Sequence, residues 1–570
     1  MATQGFNTIN DVKNARTNIN YGPVYGMKDL HVGSVLYSNP EKTIRLGAYS
    51  NIGVVVGSKL YAVSTNSNGE IISTPTLVKE KLIGWMPMFV EDDQDNKEFE
   101  IEQVIAHGAN LFQFNISFDT IYKSKAEWDN NPDSIWVKYD RIYNFIKNRF
   151  PNFAVRINCI TDDTNFYLDR NYVQHASIND AIFRYAGNFS EPVAFYADSD
   201  MVMDQFGMPI RAKQGWGRPT MFKDSAKAIM VSFVERVIQR YPIVFEKAVW
   251  VSTPTTSDHE MGLETLQSWT GTEFSQGSHA EGWYCLVDYH PLSQTYFKNV
   301  FLPSKYTTIA ALNAAWGSSF NNFSAVSPPK VANVSNITQT SFESYFALVN
   351  SQAYVDWMEH NVAALERFWI ECKAIINQYA PNCQFAFEVG SATDRLSVFR
   401  GTQNLIRTRQ ICSVLKPQYV AYDWGGTNPN ISVSIGRTNW HGDIYAEVNS
   451  NDVVTQSSIV DTQAVKNAMI EAAKQGYKND TKSIILICTN SINPRISTNG
   501  SFGTNQFQKT LEVIDEIKAW LETGECYKGV QATNSITQNI KDRYKNWDAM
   551  NNNWLASGGV NCDVVLVNDL

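Results

Sequence analysis

Eight apolar runs of strand length recur along the chain, and their alternation with helical segments is the feature that most constrains its fold. They are IGWMPMFV (83–90), NLFQFNIS (110–117), FAVRINCI (153–160), AVWVSTP (248–254), QFAFEVG (384–390), YVAYDWG (419–425), DIYAEVNS (443–450) and SIILICTN (483–490). Between them lie amphipathic stretches such as KYDRIYNFIKNRF, SAKAIMVSFVERVIQRY, the long segment VNSQAYVDWMEHNVAALERFWIECKAIINQY, and DTQAVKNAMIEAAKQGY. Near-continuous apolar strands separated by helices indicate a parallel sheet covered on both faces. No GxGxxG or Walker sequence marks the phosphate turn of an open doubly wound sheet. The expected architecture is therefore an α/β fold, a (β/α)8 TIM barrel.

The pattern divides the 570 residues into three parts: residues 1–80, the barrel over 81–523, and an extension over 524–570. The first part has short β-like runs (GSVLYS, TIRLGAY, IGVVVGSKLYAV, GEIISTPTLV) set among Gly, Asn and Ser, which predicts a small β-rich module or arm. The last holds a polar helix candidate from Ile536 to Trp554 and the apolar end CDVVLV. The opening MATQGFNTIN lacks the basic start and apolar core of a secretion signal, which suits a cytoplasmic or virion-associated protein, or a secreted one whose signal has been removed.

Composition narrows the function classes. With 44% hydrophobic and 18% charged residues the chain reads as globular, and no apolar window reaches the length of a spanning helix, so no membrane partner is expected. The net charge of −9, with Lys and Arg scattered, offers no footprint for a phosphate backbone, so nucleic acid is not an expected partner. Eight cysteines without a CxxC pair and eight histidines without ligand spacing predict buried free thiols, no metal and no cofactor. Runs rich in Asn, Ser and Thr, such as TNGSFGTN, suit carbohydrate-handling, extracellular or virion proteins.

In a barrel of this kind the reacting groups come from the carboxyl ends of the strands, which converge on one mouth. Three glutamates qualify: Glu260 past the fourth strand, Glu388 within the fifth and Glu447 within the seventh; Asp162, Asp163 and Asp423 also lie near strand ends. Cleavage of a glycosidic bond needs two carboxyl groups across that bond, one protonated and one ionised. Strands four and seven lie on opposite sides of an eight-stranded barrel, so Glu260 and Glu447 are the expected pair. A salt-bridged or solvent-facing role is the alternative for each, although a charge inside an apolar strand such as IYAEVNS is costly unless it is used.

The stretch from Tyr284 to Pro329 carries Lys305-Tyr306, then Leu312-Asn313-x-x-Trp316-Gly317, then Phe320 and a closing Pro329. This string resembles the segment after the fourth strand in family 42 β-galactosidases, of the clan A glycoside hydrolases, and the following YVDWMEHNVAALERFWIE resembles their Asp-Trp helix. The likeness extends over the barrel and not into residues 1–80. It implies a retaining hydrolase of a β-linked oligosaccharide or polysaccharide, with Glu260 as acid/base and Glu447 as nucleophile. It also implies a galactoside as the first sugar to test and allows a homo-oligomer. Two departures stand out: His259 occupies the place where that clan normally carries an Asn facing the sugar 2-hydroxyl, and the four-Cys metal cluster of some members is missing.

Aromatic faces stack on the apolar face of a sugar ring, which makes Trp85, Trp283, Trp316 and Trp424 candidate binding residues, with core packing the alternative for each; Trp440 is a further candidate. Trp316 would either line the mouth or lock its loop onto the barrel. Asn115, Arg156, His259 and Glu388 complete the candidate set, Asn115 and Arg156 only if their pleat phase faces inward. His441 reads as a loop histidine. A barrel that has lost activity and serves as a carbohydrate-binding or structural component of a phage tail or surface is the alternative, and the replacement at His259 favours it.

Overall fold

The computed structural model describes residues 50–56, 58–65, 76–87, 94–122, 125–159, 161–162, 202–203, 216–217, 219–252, 266–268, 284–286, 288–329, 351–389, 418–422, 444–449, 462–478, 481–488 and 503–527. Three strands, β1 (Ser50–Val56), β2 (Lys59–Thr65) and β3 (Thr76–Glu80), form an antiparallel sheet in that order. One residue later the chain enters the barrel. Lys81 makes the join: its backbone N–H donates to Ser58 O at 2.9 Å, and its buried ammonium donates to Thr481 O at 2.9 Å.

The barrel strands are β4 (Leu82–Pro87), β5 (Leu111–Ser117), β6 (Asn152–Asn158), β9 (Ala248–Ser252), β12 (Phe385–Val389), β13 (Gln418–Tyr422), β14 (Ile444–Asn449) and β15 (Thr481–Cys488). They close in the order β12-β13-β14-β15-β4-β5-β6-β9, every pair parallel. Each of the eight apolar runs supplies one strand. Among the described residues the remaining strands are two small antiparallel pairs beyond the barrel: β7 (Thr161–Asp162) with β8 (Trp216–Gly217), and β10 (Leu266–Ser268) with β11 (Tyr284–Leu286).

The helices that cover the barrel are α1 (Gln94–His107), α2 (Val137–Ile146), α3 (Asp224–Arg240), α4 (Gln352–Tyr379), α5 (Thr462–Lys478) and α6 (Gly503–Glu522). Their buried residues follow the helical period: Tyr139, Ile142 and Ile146 on α2, and Ala226, Met230, Phe233, Val234 and Val237 on α3. These side chains meet the outward residues of the strands, including Phe112, Phe114, Ile116, Phe153 and Val155, in one continuous core between sheet and helices. A second, smaller core fills the barrel itself, built from Leu82, Met86, Leu111, Ala154, Trp250 and Ile485. Four of the cysteines, Cys159, Cys372, Cys383 and Cys526, are buried free thiols. Among the described residues no helix is long and apolar enough to cross a membrane.

Candidate active site

Pleating sends alternate residues of each strand inward, and the register between strands decides which. Leu111, Ala154, Trp250 and Ile485 define the inward phase by packing together inside the barrel. The same phase on β5 and β6 carries Gln113, Asn115, Ser117, Arg156 and Asn158, with Asn115 level with Arg156 and Ser117 level with Asn158. Interior side chains therefore change from apolar to polar along the strands. The polar end is the carboxyl end, where the mouth of such a barrel opens.

The polar band is hydrogen-bonded internally. Gln113 Nε2 donates to Asn115 Oδ1 at 3.2 Å, Arg156 Nε to Asn158 Oδ1 at 3.0 Å, and Asn158 Nδ2 to Ser117 Oγ at 3.2 Å. Ser252, level with Arg156 on the next strand, is fully buried, and its Oγ has no hydrogen-bond partner among the described residues. A buried hydroxyl without a partner is uncommon in a folded interior and is available to a bound group. Sequence reading singled out Asn115 and Arg156 but missed Gln113, Ser117, Asn158 and Ser252. The signal for the first three was the i, i+2 spacing of polar residues within the runs LFQFNIS and FAVRIN; Ser252 ends the apolar run AVWVS.

The backbone ladder continues this phase around the barrel. Ser252 is level with Ala386, position 388 lies two residues further on and is level with Val420, and position 447 is level with Tyr422 on one side and Ile485 on the other. The residues 388 and 447 thus occupy the phase of the interior, near the carboxyl ends of the fifth and seventh barrel strands. Glu260, His259, Trp283, Trp424, Trp440, His441, Asp163 and Asp423 lie outside the described residues.

Between β9 and β12 the chain makes a long excursion that folds around one carboxylate. Asp356, on the first turns of α4, is fully buried and accepts from Lys305 Nζ at 2.8 Å, Tyr306 OH at 2.7 Å, Trp316 Nε1 at 2.7 Å and Gln352 Nε2 at 2.8 Å. Burial and the bond to Asp356 raise the Tyr306 phenol above its ordinary range, so it stays the donor. Asn313 clamps the turn that follows: its Oδ1 accepts from Ser318 Oγ at 2.8 Å and Phe320 N at 2.9 Å, and its Nδ2 donates to Phe320 O at 2.8 Å. Gly317 ends the helix Ile309–Trp316 in the left-handed region at φ 64°, the conformation that a helix C-cap favours in glycine. Lys305, Tyr306 and Trp316 of the string thus hold this excursion to α4 through Asp356, while Asn313 holds the turn that follows the helix.

The chain resembles the family 42 β-galactosidases. The model of that family, described as β-galactosidase, matches residues 279–405, a span that contains the Asp356 assembly and β12. No protein of curated function matches the chain by sequence. Among solved structures, the catalytic domain of β-amylase from Paenibacillus polymyxa aligns over 76% of this chain and 98% of its own, at 12% identity and a TM-score of 0.50. A β-galactosidase from the psychrophilic Marinomonas ef1 aligns over 80% of this chain at 11% identity and a TM-score of 0.47. A β-galactosidase from Bacillus circulans sp. alkalophilus aligns over 82% at 12% identity and a TM-score of 0.46. The alignments span 62% and 63% of those two β-galactosidase chains. The TIM-barrel fold is shared with the β-amylase domain.

For two tryptophans the geometry selects between the two roles open to each. Trp85 is fully buried on the outward phase of β4, edge-to-face with Phe507 of α6 at 5.9 Å, so it packs the sheet-to-helix core instead of facing the mouth. Trp316 takes the second of its two readings: its indole N–H is spent on Asp356 and its ring packs beside Phe297 and Phe320, which locks the excursion. Among the described residues no group of three or more His, Cys, Asp or Glu side chains is arranged to hold a metal ion.

Proposed function

We propose that the protein is a retaining glycoside hydrolase that cleaves a β-linked oligosaccharide or polysaccharide, with a galactoside the first sugar to test. The observation that supports this reading is the strand register, which gives positions 388 and 447 the interior phase of a closed parallel barrel whose other strands carry Asn115, Arg156, Asn158 and Ser252 in the same phase. The β-galactosidase match over residues 279–405 supports the same class.

In this mechanism the Glu447 carboxylate attacks the anomeric carbon while the bond to the leaving oxygen breaks, and Glu260 gives its proton to that oxygen. Glu260 then takes a proton from water, whose oxygen displaces Glu447 and restores the starting configuration. Both steps pass through a transition state with positive charge on the ring. Glu388 and Arg156 would orient hydroxyls of the sugar, Asn115 and His259 would add hydrogen bonds, and Trp283 and Trp424 would supply stacking faces. No cofactor enters the chemistry.

The test is hydrolysis of aryl β-galactoside, glucoside, mannoside, fucoside and arabinoside by wild type, Glu447→Ala and Glu260→Ala. Turnover of one sugar, with Glu447→Ala lower by several orders of magnitude, is the expected result. Turnover that survives in Glu447→Ala overturns the assignment of the nucleophile. Inertness toward all five sugars, together with retention on immobilised polysaccharide, would instead make the barrel a binding scaffold, the reading that His259 favours.

A further inference from the structure

The hydrogen bonds inside the barrel mouth leave a face made of donors. Arg156 can only donate, so the bond from its Nε at 3.0 Å fixes Asn158 with the amide oxygen toward Arg156 and the amide nitrogen toward Ser117. Asn158 Nδ2 gives one hydrogen to Ser117 Oγ at 3.2 Å and keeps a second. On the neighbouring strand Gln113 Nε2 donates to Met86 Sδ at 2.9 Å and to Asn115 Oδ1 at 3.2 Å. The oxygen of Asn115 is therefore engaged, and its amide nitrogen makes no bond among the described residues. The Ser117 hydroxyl accepts from Asn158, and its own hydrogen meets no acceptor among the described residues. Asn115, Ser117, Arg156 and Asn158 are each half-buried, with Gln113 and Trp250 fully buried one pleat below them.

The oxygens of this band are thus turned into its own network, while N–H and O–H groups remain for a ligand. The one charged side chain in the inward phase of β5 and β6, Arg156, is a cation. A sugar hydroxyl both donates and accepts, so a face of donors leaves its O–H without an acceptor. An oxyanion only accepts, and its bonds to such donors are shorter and stronger. The position also suits an anion. In the closed order β6 lies four strands from β14 by either route, which puts the donors on the wall across from position 447, where repulsion from its acid is weakest. The net charge of −9 opposes an anionic chain at long range, so recognition of one has to be local. We propose that Asn115, Ser117, Asn158 and Arg156 form a subsite for an oxyanion substituent on the sugar, a sulfate ester or a carboxylate, which makes the substrate an acidic glycan. This deepens the glycosidase reading and rests on it for the sugar; the donor face itself rests only on the hydrogen bonds above.

The experiment titrates the full chain calorimetrically with galactose, galactose 4-sulfate, galactose 6-sulfate and galacturonate, so that binding is read without hydrolysis. Wild type should bind one of the anions about tenfold more tightly than galactose, the scale of a single charge-assisted hydrogen bond. Preference for galacturonate identifies a carboxylate, and preference for either sulfate identifies a sulfate ester. A wild type that prefers no anion over galactose, or that binds none of the four sugars, overturns the proposal.

Two variants separate recognition from folding. Asn115→Asp keeps the oxygen that accepts from Gln113 and exchanges the amide nitrogen for a second oxygen, and Ser117→Ala deletes a donor. The ratio of anion affinity to galactose affinity should fall about tenfold in the first and about threefold in the second, with urea midpoints showing that each chain is folded. An unchanged ratio in both folded variants makes the network structural and sinks the subsite; where a variant does not fold, the wild-type preference decides. Anion binding by a chain that cleaves no glycoside would keep the subsite and overturn the hydrolase reading. Hydrolysis of a neutral galactoside with no preference for an anion would do the reverse.

Discussion

Trp316 donates its indole N–H to the buried Oδ2 of Asp356 at 2.7 Å, across forty residues of sequence, and three further donors close on the same carboxylate. The string that most resembles the β-galactosidases is thus a structural lock around one acid.

Removing that acid should be felt as stability. Asp356→Ala strands a tyrosine hydroxyl, an indole and a glutamine amide, while Lys305 keeps its pairing with Glu359. The expected cost is about 3 kcal/mol, the scale for breaking a buried charged network by removing one member. Trp316→Phe, which keeps a ring and loses one N–H, should cost about 1–2 kcal/mol. Urea midpoints of the two variants against wild type check both values.

Two glycines separate crowding from backbone strain. A Cβ on Gly84 would stand 2.7 Å from Ile485 Cγ1 and 3.1 Å from Ile485 Cα in the barrel interior, so Gly84→Ala should destabilise by about 1–3 kcal/mol. Gly317 has open space around it, and Gly317→Ala should cost only the left-handed conformation, about 1 kcal/mol. Thermal unfolding of both variants tests the ranking; equal losses would contradict it.

His360 gives stability a pH dependence of definite sign. It is fully buried, stacked on Phe222 with centroids 4.4 Å apart, bonded through Nε2 to Ser293 Oγ at 3.0 Å, and burial pushes its pKa down to about 3. The unfolded chain therefore binds a proton below about pH 6.5 that the folded chain refuses, so this contribution is present above that pH and is lost as pH falls toward 3. Within the window the slope is about 1.4 kcal/mol per pH unit. Burial raises the carboxyl of Asp288, which acts in the opposite sense, so the quantity to measure is the difference between wild type and His360→Phe from pH 4 to 7. A difference that does not change with pH would refute a buried neutral His360.

Trp85 supplies a test of phase. Its place against Phe507 predicts that Trp85→Phe lowers stability by about 1–2 kcal/mol while KM for any substrate found stays within about twofold. A large rise in KM would return Trp85 to the mouth.

Much of the architecture was legible in the primary structure because it depends on local pattern. An apolar run between amphipathic helices buries on both faces whichever strand becomes its neighbour, so all eight barrel strands could be read, as could α2, α3, α4 and α5. The string from Lys305 to Phe320 was equally visible, and with it the resemblance to the β-galactosidases.

What only the tertiary structure decided is which way each residue faces and which distant groups share a partner. A one-residue change of phase would exchange Trp85 for Gly84 and Asn115 for Phe114, and nothing local to LIGWMP or LFQFNIS sets it; inter-strand register does. The same holds for the buried acids. Asp356 finds Lys305 across 51 residues and Asp288 finds Met203 across 85, pairings that exist only once the barrel has brought its excursions together. Periodicity is a property of the chain and survives without partners, whereas a hydrogen bond between remote segments is a property of the closed fold.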